Sequence, residues 1–470
     1  MTLVDHSATD LAARLRSGEL SAVDVMNAHY DRIEQVNPRL NAIVNLLPRE
    51  RAVALAEQAD RLPAEQRGVL HGLPMACKDA VEVAGFPTTW GFVPFADNVA
   101  SADDAMASRL RAAGALFIGK TNMPEFGLGS NTFNRVFGPT LNPFDPTKSA
   151  GGSSGGAAVG LATGMFPLAD GSDMGGSLRN PASFCNVVGL RTTPGRLPSV
   201  RSFGWFARLS VSGPMARTVE DAALLLSAQA GPCDADPLTL PESGDVFRAP
   251  LDAPMAGRRI AFSPNLGGLP IARATEAVIA TAPAVFEGLG CKVEQTEPDL
   301  RGAMDVFQVQ RAAALAALGQ GLEKNVPDWR RHTKDTAVWN IEKGFALTGD
   351  EIIQSELRRT EIYRSAVEFF DRFDALILPA AQVPPFDIKT EWVDSIEGHK
   401  MDSYIDWMTV CCAITVTGLP AISVPAGFTE DGLPVGLQIV GRPRGEWALL
   451  QIAHAFESAT QHHRQAPPLD

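Results

Sequence analysis

An α/β fold is expected for this chain on three observations. From about residue 70 onward, short apolar runs alternate with stretches of helical periodicity. No internal repeat, low-complexity tract or flexible linker divides the 470 residues. Hydrophobic residues make up 45% and charged residues 20%, which supplies ample apolar side chain for one large core. The expected organisation is an N-terminal helical segment, residues 1–65, packed on an α/β domain spanning 66–470, with one catalytic domain in all.

The elements follow from periodicity and punctuation. Residues 8 to 36 carry apolar positions at helical spacing (Leu11, Leu15, then Val23, Val25, Met26 and Ile33), broken at Gly18 and ended by Asn37-Pro38. Leu73 to Cys77 and Ala115 to Ile118 are apolar runs of strand length, the second closed by Gly119, with a helix expected over 103 to 113 between them. From 121 to 187 Gly, Ser, Asn and Pro dominate, so this stretch is expected to be loops wrapped around something. Beyond it come a strand at Arg259 to Phe262, a helix at 273 to 288 and a strand near Cys291 to Val293. A long amphipathic helix at 350 to 372 is opened by Asp350, strands follow at 374 to 379, 421 to 425 and 435 to 440, and a helix at 446 to 460 closes the chain. Residues 235 to 257, rich in Pro, Asp and Ala, are expected to be a surface excursion.

The charge balance narrows the partners. A formal net charge of −13, with the 41 Lys and Arg scattered along the chain, repels phosphate backbones, so neither nucleic acid nor an anionic membrane surface is an expected partner. Small molecules fit better. The six cysteines form no C-x-x-C pair, and adjacent Cys411 and Cys412 lack metal-ligand spacing; reduced, mostly buried thiols are expected. The first residues lack a basic stretch followed by an apolar one, and no run of about 18 apolar residues occurs, so a cytoplasmic location is the expectation.

Three segments can carry chemistry. Gly151-Gly-Ser-Ser-Gly-Gly-Ala-Ala158 is compatible with a flexible turn, a phosphate cradle or the G-x-S-x-G elbow of a serine hydrolase. The cradle lacks its G-K-[ST] sequence. The elbow needs a hydrophobic strand directly upstream, where Pro143 and Pro146 stand instead, and none of His332, His399, His454, His462 or His463 has a supporting motif. The second segment is Asp170-Gly-Ser-Asp-Met-Gly-Gly-Ser-Leu-Arg-Asn-Pro181. In it the N–H groups of Met174, Gly175, Gly176 and Ser177 can converge into an oxyanion hole, although a Gly-rich connection with a solvated serine has the same pattern. The third, His71-Gly-Leu-Pro-Met-Ala-Cys-Lys-Asp79, delivers Lys78 at the end of an apolar run. Most lysines there are surface charges, but burial lowers an ammonium pKa and makes a neutral base, which Ser153 and Ser177 otherwise lack.

Taken together these segments resemble the amidase signature family. Lys78, the Gly-Gly-Ser-Ser-Gly-Gly run and the Gly-Ser-Asp-x-Gly-Gly-Ser-x-Arg run occur in family order, 75 residues separating Lys78 from Ser153 and 24 separating Ser153 from Ser177. Flanking segments agree: Lys120-Thr-Asn-Met-Pro-Glu-Phe126, Asn186-Val-Val-Gly-Leu-Arg191, Gly418-Leu-Pro-Ala-Ile-Ser-Val-Pro425 and Gly432-Leu-Pro-Val-Gly-Leu-Gln438. The resemblance implies a mixed sheet covered on both faces by helices, with the catalytic loops at one edge of the sheet. It implies Ser177 as nucleophile, Ser153 as a bridging serine preceded by a cis peptide bond at Gly152, Lys78 as base, and no metal or cofactor. Ser154, Asp173 and Arg179 are expected to support the loops, and Ser172 either joins the site or is a loop hydroxyl. Ala150 stands where family members often place proline.

The implied activity is hydrolysis of a small, apolar or aromatic carboxamide. Met123, Phe126 and Phe133 are the expected substrate contacts, joined by Trp90, with Trp339, Trp392 and Trp407 as further candidates. An alternative is the glutaminase-type component of a glutamyl-tRNA amidotransferase, which works with partner proteins. Tyr404-Ile-Asp-Trp-Met-Thr is compatible with it, whereas residues 301 to 345, with Trp329 and Trp339, do not match. A non-catalytic relative would lack a relay residue, and none is missing. The oligomeric state is left open, a homodimer included.

Overall fold

The computed structural model describes residues 2–200 and 208–469. Its centre is one mixed sheet built from β1 (Ile43–Val44), β2 (Pro74–Lys78), β3 (Leu116–Thr121), β4 (Leu168–Asp173), β5 (Val188–Arg191), β6 (Val211–Ala216), β7 (Arg259–Phe262), β8 (Lys292–Gln295), β9 (Ala375–Pro379), β12 (Ala421–Phe428) and β13 (Pro434–Val440). Short β10 (Ser395–Ile396) and β11 (His399–Lys400) pair apart from it. The order across the sheet is β1-β3-β2-β4-β6-β5-β12-β13-β9-β7-β8. Parallel pairs join β2 to β3 and β4, and β7 to β8 and β9, while β12 and β13 pair antiparallel in the middle. Every residue of β2, β9 and β13 is buried, as strands covered by helices on both faces require.

Several expected boundaries move for identifiable reasons. The N-terminal helical stretch is two helices, Ala8–Ser17 and Ala22–Leu40, each capped by a serine, Ser7 and Ser21, with Gly18 ending the first at φ 78. Asn37-Pro38 does not end the second. Its last turn is closed by the Asn37 side chain, which accepts from the N–H groups of Ala42 and Ile43 at 2.9 and 2.8 Å and donates to the Ile43 carbonyl at 2.9 Å. Residues 273–288 form two helices, Arg273–Ile279 and Ala282–Gly288, because Pro283 has no N–H to carry a continuous ladder. The long helix runs Gly349–Phe370 and is opened by Thr348, not Asp350; Thr348 and Glu351 close a reciprocal capping box.

The Gly-rich stretch contains more than loops. Helix Gly155–Ala162, strand β4 and helix Arg179–Phe184 lie within it, and β4 sits mid-sheet between β2 and β6. Glycine weakens strand propensity, which hides β4 in the sequence. At Gly171 the absence of a side chain is required, since a Cβ there would lie 2.6 Å from Leu178 and 2.8 Å from the Ser154 hydroxyl. Residues 301–345, which have no counterpart among the expected elements, are helical: Ala303–Asn325, Trp329–His332 and Asp335–Phe345. The 235–257 stretch is an irregular excursion with one short turn of helix, Gly244–Arg248, anchored by buried Phe247.

Residues 1–65 share the main core. Leu11, Leu15, Val25 and Ile33 pack in the same apolar cluster as the sheet, and β1 pairs antiparallel with β3 through Ile43 and Thr121. All six cysteines are free, and all but Cys233 are buried. Among the described residues no helix is long and apolar enough to cross a membrane.

Candidate active site

The parallel pairing of β2 with β4 builds the site. Met75 lies opposite Leu168 and Ala76 opposite Ala169, so both strands end on the same side and deliver Lys78 and the 172–178 loop to one place. The expectation of a site at an edge of the sheet is therefore corrected: it lies at the C-terminal ends of adjacent inner strands, where parallel strands release their loops together.

Lys78 is 1% exposed. Its Nζ donates to Ser153 Oγ at 2.7 Å, Ser154 Oγ at 2.9 Å and Ser172 Oγ at 3.0 Å, while its backbone N–H donates to Asp170 Oδ1 at 3.0 Å. Three neutral hydroxyls solvate an ammonium poorly compared with water. Burial pulls the Lys78 pKa down to about 7, against the opposing pull of Asp170 and Asp173. Ser172, ambiguous in the sequence, is thus a ligand of the lysine.

The Ser153 segment is held from outside. Ser130 Oγ donates to the Gly152 carbonyl at 2.6 Å, Thr132 Oγ1 donates to the Gly151 carbonyl at 2.8 Å, and the Gly152–Ser153 peptide bond is cis. A Cβ on Gly156 would lie 2.4 Å from the backbone nitrogen of Asn122, so only glycine allows this helix to pack so closely against the end of β3. The Ser154 N–H donates to the Ser177 carbonyl at 3.2 Å and joins the two serine segments.

Behind Ser177, Asp173 organises the loop. Its carboxylate accepts from Arg179 Nε at 3.0 Å, Arg179 Nη2 at 2.8 Å, the Leu178 N–H at 3.1 Å and the Gly176 N–H at 2.9 Å. This narrows the expected oxyanion hole, because the Gly176 amide is taken by Asp173. The N–H groups of Met174, Gly175 and Ser177 have no hydrogen-bond partner among the described residues and remain available.

These groups open into a cavity of about 530 Å³. Lys78, Ser153, Ser172 and Ser177 form its floor, and Trp90, Met123, Phe126, Phe307, Leu315 and Met408 are among its apolar walls. Trp90 and Phe126 are joined by a Phe126 N–H to Trp90 carbonyl bond at 2.8 Å and both hold positive φ, 55 and 53. Bulky residues in that region cost about 1–3 kcal/mol each and persist where the surroundings dictate a side-chain position. Phe133 is not on the wall; its ring lies 5.7 Å from the Lys334 ammonium instead. Trp407 is buried against Phe386, Trp392 packs on the core and Trp339 is 43% exposed, so none of the three reaches the cavity. Sequence reading missed the wall from the Ala303–Asn325 helix. Phe307, Arg311 and Leu315 recur there at a spacing of four, a signal present in the sequence but silent about which partner that face meets. Among the described residues no group of three His, Cys, Asp or Glu is arranged to hold a metal ion.

The amidase family profile matches residues 24–450, which include all three chemistry-bearing segments. The chain belongs to the amidase signature family. An acylamidase of Rhodococcus erythropolis is 36% identical over 458 residues, covering 96% of this chain and 95% of the relative. The glutamyl-tRNA(Gln) amidotransferase component of the same family from Geobacillus stearothermophilus is 34% identical over 494 residues and the full length of both chains. Among solved structures, a bacterial aryl acylamidase of the amidase signature enzymes superposes with a TM-score of 0.89 at 30% identity, covering 97% of each chain. This amidase signature chain is accordingly an amidohydrolase by family, with the single α/β domain and large mixed sheet of its structural neighbours.

Proposed function

We propose that this chain hydrolyses the C–N bond of a small, largely apolar carboxamide through a Ser177 acyl-enzyme, without a partner protein. The observation that carries the reading is the buried Lys78 amine, 2.7 Å from Ser153 Oγ, at the floor of an apolar cavity that also holds Ser177. Neutral Lys78 takes the Ser153 hydroxyl proton while Ser153 Oγ takes the proton of Ser177, whose Oγ attacks the amide carbon. The Met174, Gly175 and Ser177 N–H groups hold the oxyanion, each donor worth about 3–4 kcal/mol in the transition state. Collapse breaks the C–N bond as Ser153 gives its proton to the leaving nitrogen and is reprotonated by Lys78. Water then attacks the acyl-enzyme through the same relay and releases the carboxylic acid. Met123, Phe126 and Trp90 would bind the apolar part of the substrate.

The test is a panel of anilides, arylacetamides, aliphatic amides and glutamine assayed on the purified chain, alongside its Ser177→Ala variant and peptide mapping of a fluorophosphonate adduct. Hydrolysis of apolar amides, its loss in the folded variant and a label on Ser177 are expected. A label on Ser153, or near-normal turnover by Ser177→Ala, would refute the nucleophile. The full-length similarity to glutamyl-tRNA(Gln) amidotransferase components favours a second reading. A preference for glutamine, or activity only after a partner protein is added, would establish that reading instead.

A further inference from the structure

Arg311 lies on the cavity wall but has no part in the proton relay. It is 5% exposed and forms no ion pair among the described residues. Nη1 donates to Asn340 Oδ1 and Nη2 to the Tyr404 hydroxyl, and the guanidinium lies 5.2 Å from the Tyr404 ring centroid. These partners are neutral. They orient the cation and satisfy two of its five N–H groups, and no carboxylate pairs with it among the described residues. The other buried arginines are treated differently: Arg179 and Arg191 share Asp173, Arg196 meets Glu446 and Arg208 meets Asp236. A buried charge without a counter-charge is costly to keep, and a cavity wall is where a ligand can supply what the protein does not.

The helix fixes where that ligand group would sit. Phe307, one turn before Arg311, packs beside Gly175: a Cβ on Gly175 would lie 3.0 Å from the Phe307 ring. Arg311 is therefore about 6 Å further along the helix axis than the residue that touches the loop of Ser177. Phe307, Ala314, Leu315 and Leu318 make the rest of this helical face apolar.

We infer that Arg311 is a specificity-determining residue that binds a carboxylate of the substrate, so that the preferred amides have an apolar body with a carboxylate a few bonds from the scissile carbonyl. The inference rests on the amide-hydrolase reading of the cavity above. Guanidinium and carboxylate match in a bidentate pair, and desolvation by the apolar wall strengthens it. A purely structural Arg311, tying its helix to Asn340 and Tyr404, would not distinguish charged from neutral substrates.

The test compares two matched pairs. Glutaranilate and its methyl ester carry the difference on the acyl side; N-phenylacetyl-β-alanine and its methyl ester carry it on the amine side. For one pair the wild-type enzyme is expected to favour the carboxylate in kcat/KM by roughly tenfold or more. In Arg311→Met that ratio should fall to near one, and Arg311→Lys should restore part of it. A wild-type ratio near one, or a ratio unchanged in Arg311→Met, overturns the inference. If no pair is turned over, calorimetric binding of glutaranilate and its methyl ester to Ser177→Ala, with and without Arg311→Met, reads the same preference. If Arg311→Met does not fold, the wild-type ratio and its decrease with added salt decide. Hydrolysis of the esters with no charge preference would sink this inference alone, whereas full activity in Ser177→Ala would sink the underlying mechanism whatever the preference.

Discussion

Lys78 and Asp173 are both completely buried and end adjacent strands, β2 and β4, yet they are surrounded in opposite ways. Around Asp173 the protein places two arginines and two backbone N–H groups. Burial alone would raise its pKa; the charge of Arg179 and its two hydrogen bonds override that and hold the carboxyl well below the usual carboxylate range. Arg179 is in turn raised by Asp173 against its own burial penalty. Among the described residues Arg191 has no partner at Nε or Nη2, and it is pulled down by burial to about 10. Lys78 instead meets, among the described residues, only neutral hydroxyls within hydrogen-bond reach of its amine. Under the proposed mechanism the difference separates a frame from a working part. A charge meant to stay fixed is surrounded by opposite charge, and a group meant to gain and lose a proton near neutral pH is denied it.

The sharpest way to break this comparison is to remove each charge and measure both turnover and stability. Lys78→Ala is expected to lower kcat by roughly 10³-fold or more while the thermal transition moves little, and Lys78→Arg is expected not to rescue, because guanidinium stays protonated. Substantial activity in Lys78→Arg near neutral pH would show that Lys78 is not the base. Arg179→Met, by contrast, leaves Asp173 without its main partner, and a loss of about 3–5 kcal/mol in denaturant unfolding is expected. An unchanged midpoint there would show that the network is not the frame.

The pH dependence gives the next effect in size. With the Lys78 pKa lowered to about 7, the free amine becomes the minor form below that value. Turnover should fall about tenfold per pH unit in the acid limb and level off above about pH 8. A flat profile between pH 5 and 8 would contradict a lysine base. The sign for folding is separate: between about 7 and 10.5 the unfolded chain holds the Lys78 proton and the folded chain does not, so this group's share of stability rises with pH across that window.

The smallest effect extends the rule to an acid remote from the site. Glu457 accepts from the Val219 N–H at 3.0 Å, and burial, aided by Asp221 and Glu220, raises its carboxyl to about 8. From about 4.5 to 8 the folded chain holds the proton longer than the unfolded one, so wild-type stability from this group is lost as pH rises through that range. Glu457→Gln should therefore gain on wild type in thermal unfolding as pH rises, the difference levelling off above about pH 8. A constant difference from about pH 4 to about pH 9 would show that Glu457 has an ordinary carboxyl.

Much of the proposed relay was legible because such chemistry needs particular residues at particular places in the chain. Lys78 closes an apolar strand, and Ser153 and Ser177 stand in glycine-rich turns, which restricts what surrounds them. The cavity wall was less legible. Met123 and Phe126 reach it and Phe133 does not, although all three lie in one short polar stretch, since a loop has no period from which to read direction. Arg311 and Phe307 were missed because their segment carries no motif.

From the sequence alone came the α/β class, through alternating apolar runs, and the three groups proposed for the relay, through residue types and order that a resemblance to a family could tie together. The tertiary structure alone decided that β4 runs parallel beside β2, that Ser172 joins the lysine and that the Gly176 amide donates to Asp173. It also decided that a helix more than a hundred residues downstream of Ser177 closes the cavity with an arginine that forms no ion pair among the described residues. Residue chemistry and local period are written along the chain, whereas the pairing of distant strands and the counter-charge of a buried group depend on what packing brings within a few ångströms.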